Sequence, residues 1–340
     1  MRILMVTDAW RPQVNGVVLT LERLAEALVP FGAELDFFTP LEFRTLPLPT
    51  YPDIRLALTT PARVARHIEA AHADHVHIVT EGPLGILARR YCIARRLPFT
   101  TSYHTRFPEY LSARLPVPER WAYRWLRRFH NAGNGCLVAT KSLAEDLTAR
   151  GFTGLKPWTR GVDNAVFHPD HRRDLGLPRP IFLCVGRVAV EKNLPAFLDL
   201  ELPGSKLVVG EGPELAHLKT RYPDAHFWGF RPNEDLAGIY ASADVFVFPS
   251  RTDTFGNVII EALASGTPVA AYPVTGPIDI VGDGVGGVVS EDLREAAMRC
   301  LDIDRASART VAARYTWQEC ARQFLDHVRE AGAEGARLAA

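Results

Sequence analysis

The stretch VFVFPSRTDTFGNVIIEALASGTPVAAYP, residues 245–273, carries the pattern that decides the fold. Short apolar runs stand at its two ends, and between them a glycine-containing turn opens an apolar segment of helical character. A strand, a helix and a second strand in this order are typical of a parallel βαβ unit. Two acids, Asp253 and Glu261, stand eight residues apart on either side of the turn. The fold alone does not require acids at these positions.

The same alternation of strand and helix patterns runs along the whole chain. Strands are predicted at RILMVTD, ELDFFTP, HVHIVTE and CLVAT, and again at IFLCVGR, KLVVGEG, AHFWGF, VFVFPS and PVAAYP. A helix is predicted over 17–29, and a closing helix in the tail TWQECARQFLDHVREAG, whose apolar residues recur at helical spacing. The rhythm restarts after a proline-containing passage around 157–180. We therefore expect an α/β protein with two Rossmann-like, doubly wound domains that face across a ligand-binding cleft.

Length and composition agree with two domains. The chain has 340 residues and 47% hydrophobic content, which is more than one typical core. We expect one domain over 1–165, joined by a C-terminal helix over 316–335, and a second domain over 166–315. Residues 1–150 hold 19 basic against 14 acidic residues, and residues 151–340 hold 20 against 25, so the zero net charge hides an opposite charge on the two halves.

Cysteines and apolar runs give expectations about the compartment. The five cysteines lie far apart without a CxxC motif, so we expect reduced core thiols and neither disulfides nor a zinc site. No apolar run approaches the length of a membrane-spanning helix, and the first residues enter a strand pattern, which is unlike a signal peptide. We expect a cytoplasmic chain.

Glycine turns and two cations suggest a phosphate-binding site. PQVNGVVLTL, with Gly16 at the start of a helix, and TDTFGNVII both place a glycine turn before a helix, where bare amides and the helix dipole attract anions. Arg187 and Lys192 follow the strand IFLCVGR and suit two bridged phosphates. Ordinary glycine turns and solvated cations, with Glu191 neutralising Lys192, are the alternatives.

Five segments together resemble the family 4 retaining glycosyltransferases of the GT-B fold. They are PQVNGV, GRVAVEKNL, VGEGPE, FWGF and FPSRTDTFGNVIIEALASGTPV, in this order and spacing. Within the family, TDTFGNV, TEGPLG and SYHTRFPEY resemble the branch of sulfoquinovosyl-, mannosyl- and glucosyltransferases that act on membrane lipids. The resemblance implies an N-terminal acceptor-side domain and a C-terminal domain that binds a nucleotide sugar.

The resemblance assigns donor-binding roles. It implies that Asp253 contacts hydroxyls of the transferred sugar, that Glu261 holds the ribose, and that the diphosphate lies against the amides of a short turn and against Gly16. The turn consists of Phe255, Gly256 and Asn257. Arg187 and Lys192 match the diphosphate clamp, which stabilises the leaving group electrostatically. The nucleobase is expected at the edge formed by Gly229, Phe230 and Arg231. Many members have Glu where this chain has Asp253. The side chain expected to contact the sugar is therefore one methylene shorter in this chain.

The resemblance also implies an acceptor side and a reaction course. His104 in SYHTRF matches the active-site histidine, where a neutral imidazole could accept a sugar hydroxyl or bring its backbone near the reacting carbon. Glu81 and Gly82 are expected in the cleft. The residues expected to act in catalysis are His104, Arg187, Lys192 and Asp253. We expect a same-face substitution in which the leaving phosphate helps to deprotonate the acceptor, with no separate general base.

Metal binding is not expected from the sequence. The one Asp-x-Asp match, at Asp302 and Asp304, stands in a charged C-terminal stretch remote from the motif strands. His72, His75 and His77 are interpreted as structural, because two of them fall in a buried-strand pattern and no acid or cysteine completes a tetrahedral set. We expect no cofactor other than the nucleotide sugar substrate.

An arginine-rich aromatic helix predicts a membrane contact. PERWAYRWLRRFHNAG places Trp121, Ala122, Trp125, Leu126 and Phe129 on one side. The flanking arginines include Arg124 and Arg128, and RRYCIARR adds more in the same domain. Trp beside Arg suits the surface of an anionic membrane, whereas a core-facing helix with a basic edge is the alternative. Nucleic acid is not expected, since no binding motif is recognisable and the total charge is neutral.

The sequence thus predicts transfer of a hexose, with retention, to a lipid or lipid-linked glycan at the inner face of the cell membrane. Mannose from GDP-mannose is the first expectation. UDP-glucose or UDP-glucuronate with diacylglycerol as acceptor is the alternative donor pairing. A storage-carbohydrate phosphorylase or synthase is disfavoured because the chain is short and has five lysines. A sugar-nucleotide binding module without catalysis also remains open.

Overall fold

The computed structural model describes residues 1–11, 16–48, 51–112, 118–282 and 284–339. The chain divides into two compact units: unit 1 holds Met1–Arg160 and Trp317–Ala340, and unit 2 holds Gly161–Thr316. Residues 12–15, which belong to the motif PQVNGV, lie outside the described residues.

Unit 1 is built on a parallel sheet. Its strands are β1 (Arg2–Val6), β2 (Glu34–Phe38), β3 (Arg44–Leu48), β4 (Tyr51–Leu58), β5 (His75–Ile78), β6 (Phe99–Tyr103), β7 (Cys136–Val138) and β8 (Leu155–Pro157). Its first helices are α1 (Gly16–Leu28), α2 (Pro61–Ala71), α3 (Pro83–Arg95), α4 (Phe107–Ser112), α5 (Glu119–His130) and α6 (Lys141–Ala149). The sheet order is β2-β1-β5-β6-β7-β8, while β3 and β4 form a separate antiparallel pair.

Helices cover both faces of this sheet, as the alternation of side chains along β1 requires. Ile3 and Met5 point to one face and pack with α1, whereas Leu4 and Val6 point to the other and pack with α2 and α3. A strand covered on both faces is apolar along its buried length, which is the composition of Ile3–Val6 in β1, whereas Arg2 at its start is exposed.

Unit 2 repeats the architecture. Its strands are β9 (Ile181–Val185), β10 (Ser205–Val209), β11 (His226–Phe227), β12 (Val245–Phe248), β13 (Val269–Ala271) and β14 (Gly287–Val289). Its helices are α7 (Leu194–Leu198), α8 (Leu215–Arg221), α9 (Asn233–Ser242), α10 (Asn257–Ala264), α11 (Pro277–Ile280), α12 (Leu293–Cys300) and α13 (Arg305–Ala312). The order β11-β10-β9-β12-β13-β14 is parallel throughout. The predicted fold class, two doubly wound parallel-sheet units, is confirmed.

The final helix, α14 (Trp317–Ala339), packs in unit 1. Its buried residues Ala321, Phe324, Leu325 and Val328 join the core that contains Trp158, and the indole N–H of Trp158 donates to the carbonyl of Cys320 at 3.1 Å. Burying a large apolar side chain contributes about 2 kcal/mol, so this helical stripe accounts for the docking of the tail.

The predicted strands are found, with shorter ends: β1 stops at Val6, since Thr7 and Asp8 belong to the following loop. The predicted strands did not include β3, β4, β6, β8 and β14. All five cysteines are buried and free, as expected. Over the described ranges, no helix combines the length and apolar character needed to cross a bilayer.

Candidate active site

Lys192 and Asp253 meet at the carboxyl edge of the sheet in unit 2. They lie on loops that follow β9 and β12, and these strands are hydrogen-bonded neighbours. The side-chain amide of Asn193 donates to the carbonyl of Pro249 at 3.1 Å and ties the two loops together. Lys192 Nζ lies 2.6 Å from Asp253 Oδ1. Asp253 Oδ2 is buried and has no hydrogen-bond partner in the described part of the chain.

The turn after Asp253 needs a glycine. Gly256 has φ of 93°, and a Cβ on it would lie 2.9 Å from Cδ1 of Ile259. The neighbouring Phe255 is buried, and a Cβ on Gly276 would lie 2.5 Å from its carbonyl oxygen, so a second glycine permits the close crossing of two loops. Asn257 is the first residue of α10. The turn therefore offers the N-terminal amides of α10 beside Asp253.

Glu261 lies in the second turn of α10 and is partly buried. The Tyr240 hydroxyl, on α9, donates to Glu261 Oε2 at 3.1 Å. Burial raises the pKa of Glu261 to about 7, although the Tyr240 hydrogen bond opposes the shift. A partly buried carboxyl group with one hydroxyl partner has capacity to accept further hydrogen bonds.

The other predicted donor residues of unit 2 follow strands β9 and β11. Arg187 is exposed and follows β9 directly. Gly229 has φ of 69°, and its carbonyl accepts from the amide of Gly210 at 2.9 Å. Phe230 is largely exposed, and Arg231 Nε lies 3.4 Å from the Asp235 carboxylate.

His104, in unit 1, follows β6 and lies against Arg160 and Trp158. Arg160 Nη2 is 3.3 Å from His104 Nδ1, and the Trp158 ring meets the imidazole edge to face. Burial, and after it the positive charge of Arg160, holds the pKa of His104 well below its ordinary value. The imidazole is therefore neutral at physiological pH.

Glu81 and Gly82 stand in the loop between β5 and α3. Glu81 Oε1 lies 3.0 Å from Nε2 of the buried His130, the last residue of α5. Burial by itself lowers the pKa of His130, but Cys136 and Glu81 outweigh it and raise the pKa to about 10.

Gly82 lies in close contact with the side chain of the buried Asp8. A Cβ on it would lie 2.4 Å from Cγ of Asp8. Asp8 accepts from the amides of Leu84 and Gly85 at 2.9 and 3.2 Å, at the start of α3. Burial raises the pKa of Asp8 to about 6, although these amides lower it.

The predicted aromatic stripe of α5 is divided between the core and the solvent. The buried face consists of Tyr123, Leu126, Phe129 and His130. Trp121 and Trp125 lie outside it, 64% and 42% exposed, with Arg124 and Arg128 exposed beside them. The stripe is divided because its residues span a wider arc around the helix axis than the face that packs on the sheet, so the tryptophans lie at the solvent-exposed edge of that face.

Gly16, the remaining predicted contact, is the first residue of α1.

The histidines and acids weighed as metal ligands have other partners. His75 Nε2 and His77 Nδ1 both contact Thr100 Oγ1, at 2.9 and 2.8 Å, and His72 ends α2 in a left-handed conformation. Asp304 caps α13 through the amide of Ser307, and Asp302 is exposed. Across the ranges described, no group of three potential ligands is placed to hold a metal ion.

Four residues that contact the predicted site residues were not predicted from the sequence: Asp8, His130, Arg160 and Tyr240. Asp8 carried a usable signal, since it is the last residue of the predicted strand RILMVTD, at the sheet edge where ligands bind. The other three are distant in sequence from the residues they contact and carry no local pattern.

Comparison with known proteins places the chain in a family. The model of Glycosyltransferase Family 4 matches residues 14–166, and that of Glycosyl transferases group 1 matches residues 179–303. The GDP-mannose-dependent alpha-mannosyltransferase of Mycobacterium tuberculosis is 32% identical over 308 residues, 82% of this chain and 81% of that protein.

A plant relative and a solved structure extend the comparison. Sulfoquinovosyl transferase SQD2 of Arabidopsis thaliana is 32% identical over 78% of this chain and 54% of that protein. The fold matches sucrose-phosphate synthase from Thermosynechococcus elongatus with a TM-score of 0.77 at 22% identity, over 98% of this chain and 99% of that one. The chain belongs to the family 4 glycosyltransferases of GT-B fold and is a glycosyltransferase.

Proposed function

We propose that the chain transfers mannose from GDP-mannose, with retention of configuration, to a lipid or lipid-linked glycan. The observation that carries this proposal is the partly buried Asp253 carboxylate, which pairs with Lys192 through Oδ1 while no described residue bonds its buried Oδ2. A buried carboxylate oxygen without a protein donor can accept a hydrogen bond from a sugar hydroxyl. The resemblance to a GDP-mannose-dependent enzyme along most of both chains supports the choice of donor.

The donor roles follow from this arrangement. Asp253 accepts from the sugar and Glu261 from the ribose, while the amides at the start of α10 face the diphosphate. Arg187 and Lys192 hold the departing phosphates. Lys192 can keep Asp253 as a partner and still reach a phosphate oxygen, because its ammonium carries three N–H donors. Gly16 leaves room for the phosphates, and Gly229, Phe230 and Arg231 edge the base.

The reaction we propose is a same-face substitution. The bond from the anomeric carbon to the phosphate oxygen breaks as the acceptor oxygen arrives on the same side, and the acceptor proton passes to the leaving phosphate. Cations fixed beside the phosphates stabilise the charge that develops there. No metal ion or further cofactor enters this scheme. An inverted product anomer would refute it.

We also propose that unit 1 binds the acceptor and an anionic membrane surface. Glu81, Gly82 and His104 are the proposed acceptor contacts. Trp121, Arg124, Trp125 and Arg128 on α5 are the proposed membrane contacts, and their exposure fits this role. Association would be peripheral, at the inner face of the cell membrane.

Helix α3 supports the membrane proposal. Right-handed crossovers place α3, between β5 and β6, beside α5, between β6 and β7. The Arg89 guanidinium on α3 donates to the carbonyls of Phe129 and Arg128 at 3.0 and 2.7 Å. Exposed apolar residues of this segment, Ile86, Ile93 and Leu97, lie among further arginines. Apolar groups beside cations fit the headgroup region of an anionic bilayer.

A uridine-dependent diacylglycerol glycosyltransferase is the second candidate. It is favoured by the resemblance to the Arabidopsis sulfoquinovosyl transferase and to alpha-monoglucosyldiacylglycerol synthase of Streptococcus pneumoniae, which is 27% identical over 80% of this chain.

Thermal shifts with GDP-mannose, GDP, UDP-glucose, UDP-glucuronate and UDP, without added metal, separate the candidates. A ligand that binds only the native state raises the melting temperature. Stabilisation by the guanosine pair alone supports the mannosyltransferase, and stabilisation by the uridine set refutes that donor. Binding of a donor without hydrolysis or transfer to any lipid acceptor would favour a binding module without catalysis.

A further inference from the structure

The guanidinium of Arg160 is fixed against His104. Its Nη1 donates to the carbonyls of Trp158 and Thr159 at 2.8 and 3.1 Å, and its Cζ lies 4.2 Å from the centre of the Trp158 ring. Arg160 is only 4% exposed. Its other terminal nitrogen, Nη2, lies 3.3 Å from His104 Nδ1.

This contact permits one protonation state of the imidazole. A guanidinium carries N–H donors and no acceptor, so the ring nitrogen that faces it must offer a lone pair. Burial lowers the pKa of Arg160 only to about 10, so the guanidinium stays charged at neutral pH. A neutral imidazole with its lone pair on Nδ1 carries its proton on Nε2.

We propose that Arg160 is a positioning residue that fixes His104 as the neutral Nε2–H tautomer, so that His104 donates a hydrogen bond and does not act as a base. The role of His104 toward substrate rests on the proposed function, whereas its tautomer does not. As a donor, Nε2–H suits a lone pair on a sugar or phosphate oxygen. This donor role replaces the acceptance of a sugar hydroxyl that the resemblance had suggested.

The consequence for the reaction is that His104 cannot take the acceptor proton. The new bond joins the acceptor oxygen to the anomeric carbon, the bond to the phosphate oxygen breaks, and the proton goes to the leaving phosphate. The other charged or titratable groups that act on His104 are His77 on β5 and His130 on α5, and both lower its pKa with Arg160.

Nitrogen-15 spectra of the full-length protein, labelled at histidine, test the tautomer directly. His104→Gln identifies the His104 signals. We expect Nε2 protonated and Nδ1 unprotonated at neutral pH, since burial and the charge of Arg160 hold the pKa of His104 well below its ordinary value. A proton on Nδ1, or an imidazolium at neutral pH, would overturn the proposal even if no variant folds.

Two variants at Arg160 test its positioning role. Arg160→Met keeps the length and apolar stem but removes the donor and charge, so both tautomers of His104 should appear and its titration should move toward the ordinary range. Arg160→Lys keeps a donor and a charge and should restore the Nε2–H form. His75 signals are the internal control. Arg305→Met, which removes a partly buried arginine that also donates to backbone carbonyls, is the matched variant. An unchanged tautomer in Arg160→Met would refute the positioning role.

Kinetics separate this proposal from the proposed function. If Arg160→Met leaves His104 with equal tautomers and an ordinary pKa near 6.5, turnover should fall roughly twofold at pH 8 but hardly at all at pH 6, where the imidazolium also carries Nε2–H. Equal losses at both pH values would point to a merely structural effect and count against the proposal. The spectra need neither donor nor acceptor, so failure to find transfer would leave the tautomer result standing.

Discussion

Tyr240 and Glu261 form a partly buried hydroxyl–carboxylate pair, with the phenol oxygen 3.1 Å from Oε2. The pair joins α9 to α10 beneath the glycine turn at Gly256. Because burial raises the pKa of Glu261 to about 7 from 4.5, the folded protein resists its ionisation. Ionisation of Glu261, the proposed ribose-binding residue, therefore lowers the stability of the folded protein.

We therefore expect Glu261→Gln to stabilise the folded protein in a pH-dependent way. The folded pKa lies above the unfolded one, so the wild type loses stability as pH rises from about 4.5 to 7, by roughly 3 kcal/mol at most. The glutamine has no such loss, although its amide N–H needs an acceptor of its own. Urea unfolding should show the variant more stable than wild type at pH 8 but not at pH 5, while nucleotide-sugar affinity falls. A variant that is less stable at pH 8 would contradict this prediction.

Removal of the Lys192 ammonium should slow transfer while leaving the fold intact. We expect Lys192→Ala to lower kcat on the order of 10²-fold or more, the scale for loss of a preorganised charge beside a leaving group. Lys219→Ala, at an exposed lysine of the same unit, is the matched control. Steady-state kinetics with the donor found by thermal shift measure the effect. Wild-type turnover in Lys192→Ala would remove the leaving-group role.

The same ion pair predicts a stability rescue. Lys192→Ala leaves the Asp253 carboxylate partly buried without its cation, and such a loss destabilises a protein. Adding Asp253→Asn removes the uncompensated charge, so the double variant should unfold at higher urea than Lys192→Ala alone. Strictly additive losses in the double-mutant cycle would show that the two residues do not interact.

Gly82 should not tolerate a side chain. A methyl group on it overlaps the buried Asp8, so we expect Gly82→Ala to cost about 1–3 kcal/mol. Gly332→Ala in α14 is the control, since a Cβ there meets nothing within 4 Å. It should be neutral or gain up to about 1 kcal/mol from helix propensity. Urea unfolding measures both, and equal stability of the two variants would exclude the steric contact.

The exposed face of α5 predicts vesicle binding. Trp121→Ser with Trp125→Ser should reduce sedimentation with phosphatidylglycerol vesicles and leave the melting temperature unchanged. Arg124→Ser with Arg128→Ser should weaken binding by about 2 kcal/mol at low salt, or roughly 30-fold. Leu41→Ser with Leu58→Ser, at exposed apolar residues elsewhere in unit 1, is the control. Unchanged vesicle binding of the tryptophan variant, or an equal loss in the control, would refute the membrane surface.

The sequence by itself determined the class of fold and the positions of the main motifs. Apolar runs of strand length alternate with helical periods, and this information is local to windows of a few residues. The glycine turn, α10 and the acids at 253 and 261 are encoded in one continuous stretch. The tail helix was predictable for the same reason, because its buried residues recur at helical spacing.

Only the tertiary structure decided which side chains meet. Lys192 and Asp253 are brought together by the adjacency of β9 and β12, and His104 and Arg160 by the folding of β6 and β8 into one sheet. It also decided that Trp121 and Trp125 face solvent, while Leu126 and Phe129 are buried. Strand order and burial depend on the whole chain, because a contact between distant loops leaves no local pattern, and helical spacing does not fix where the covering layer ends.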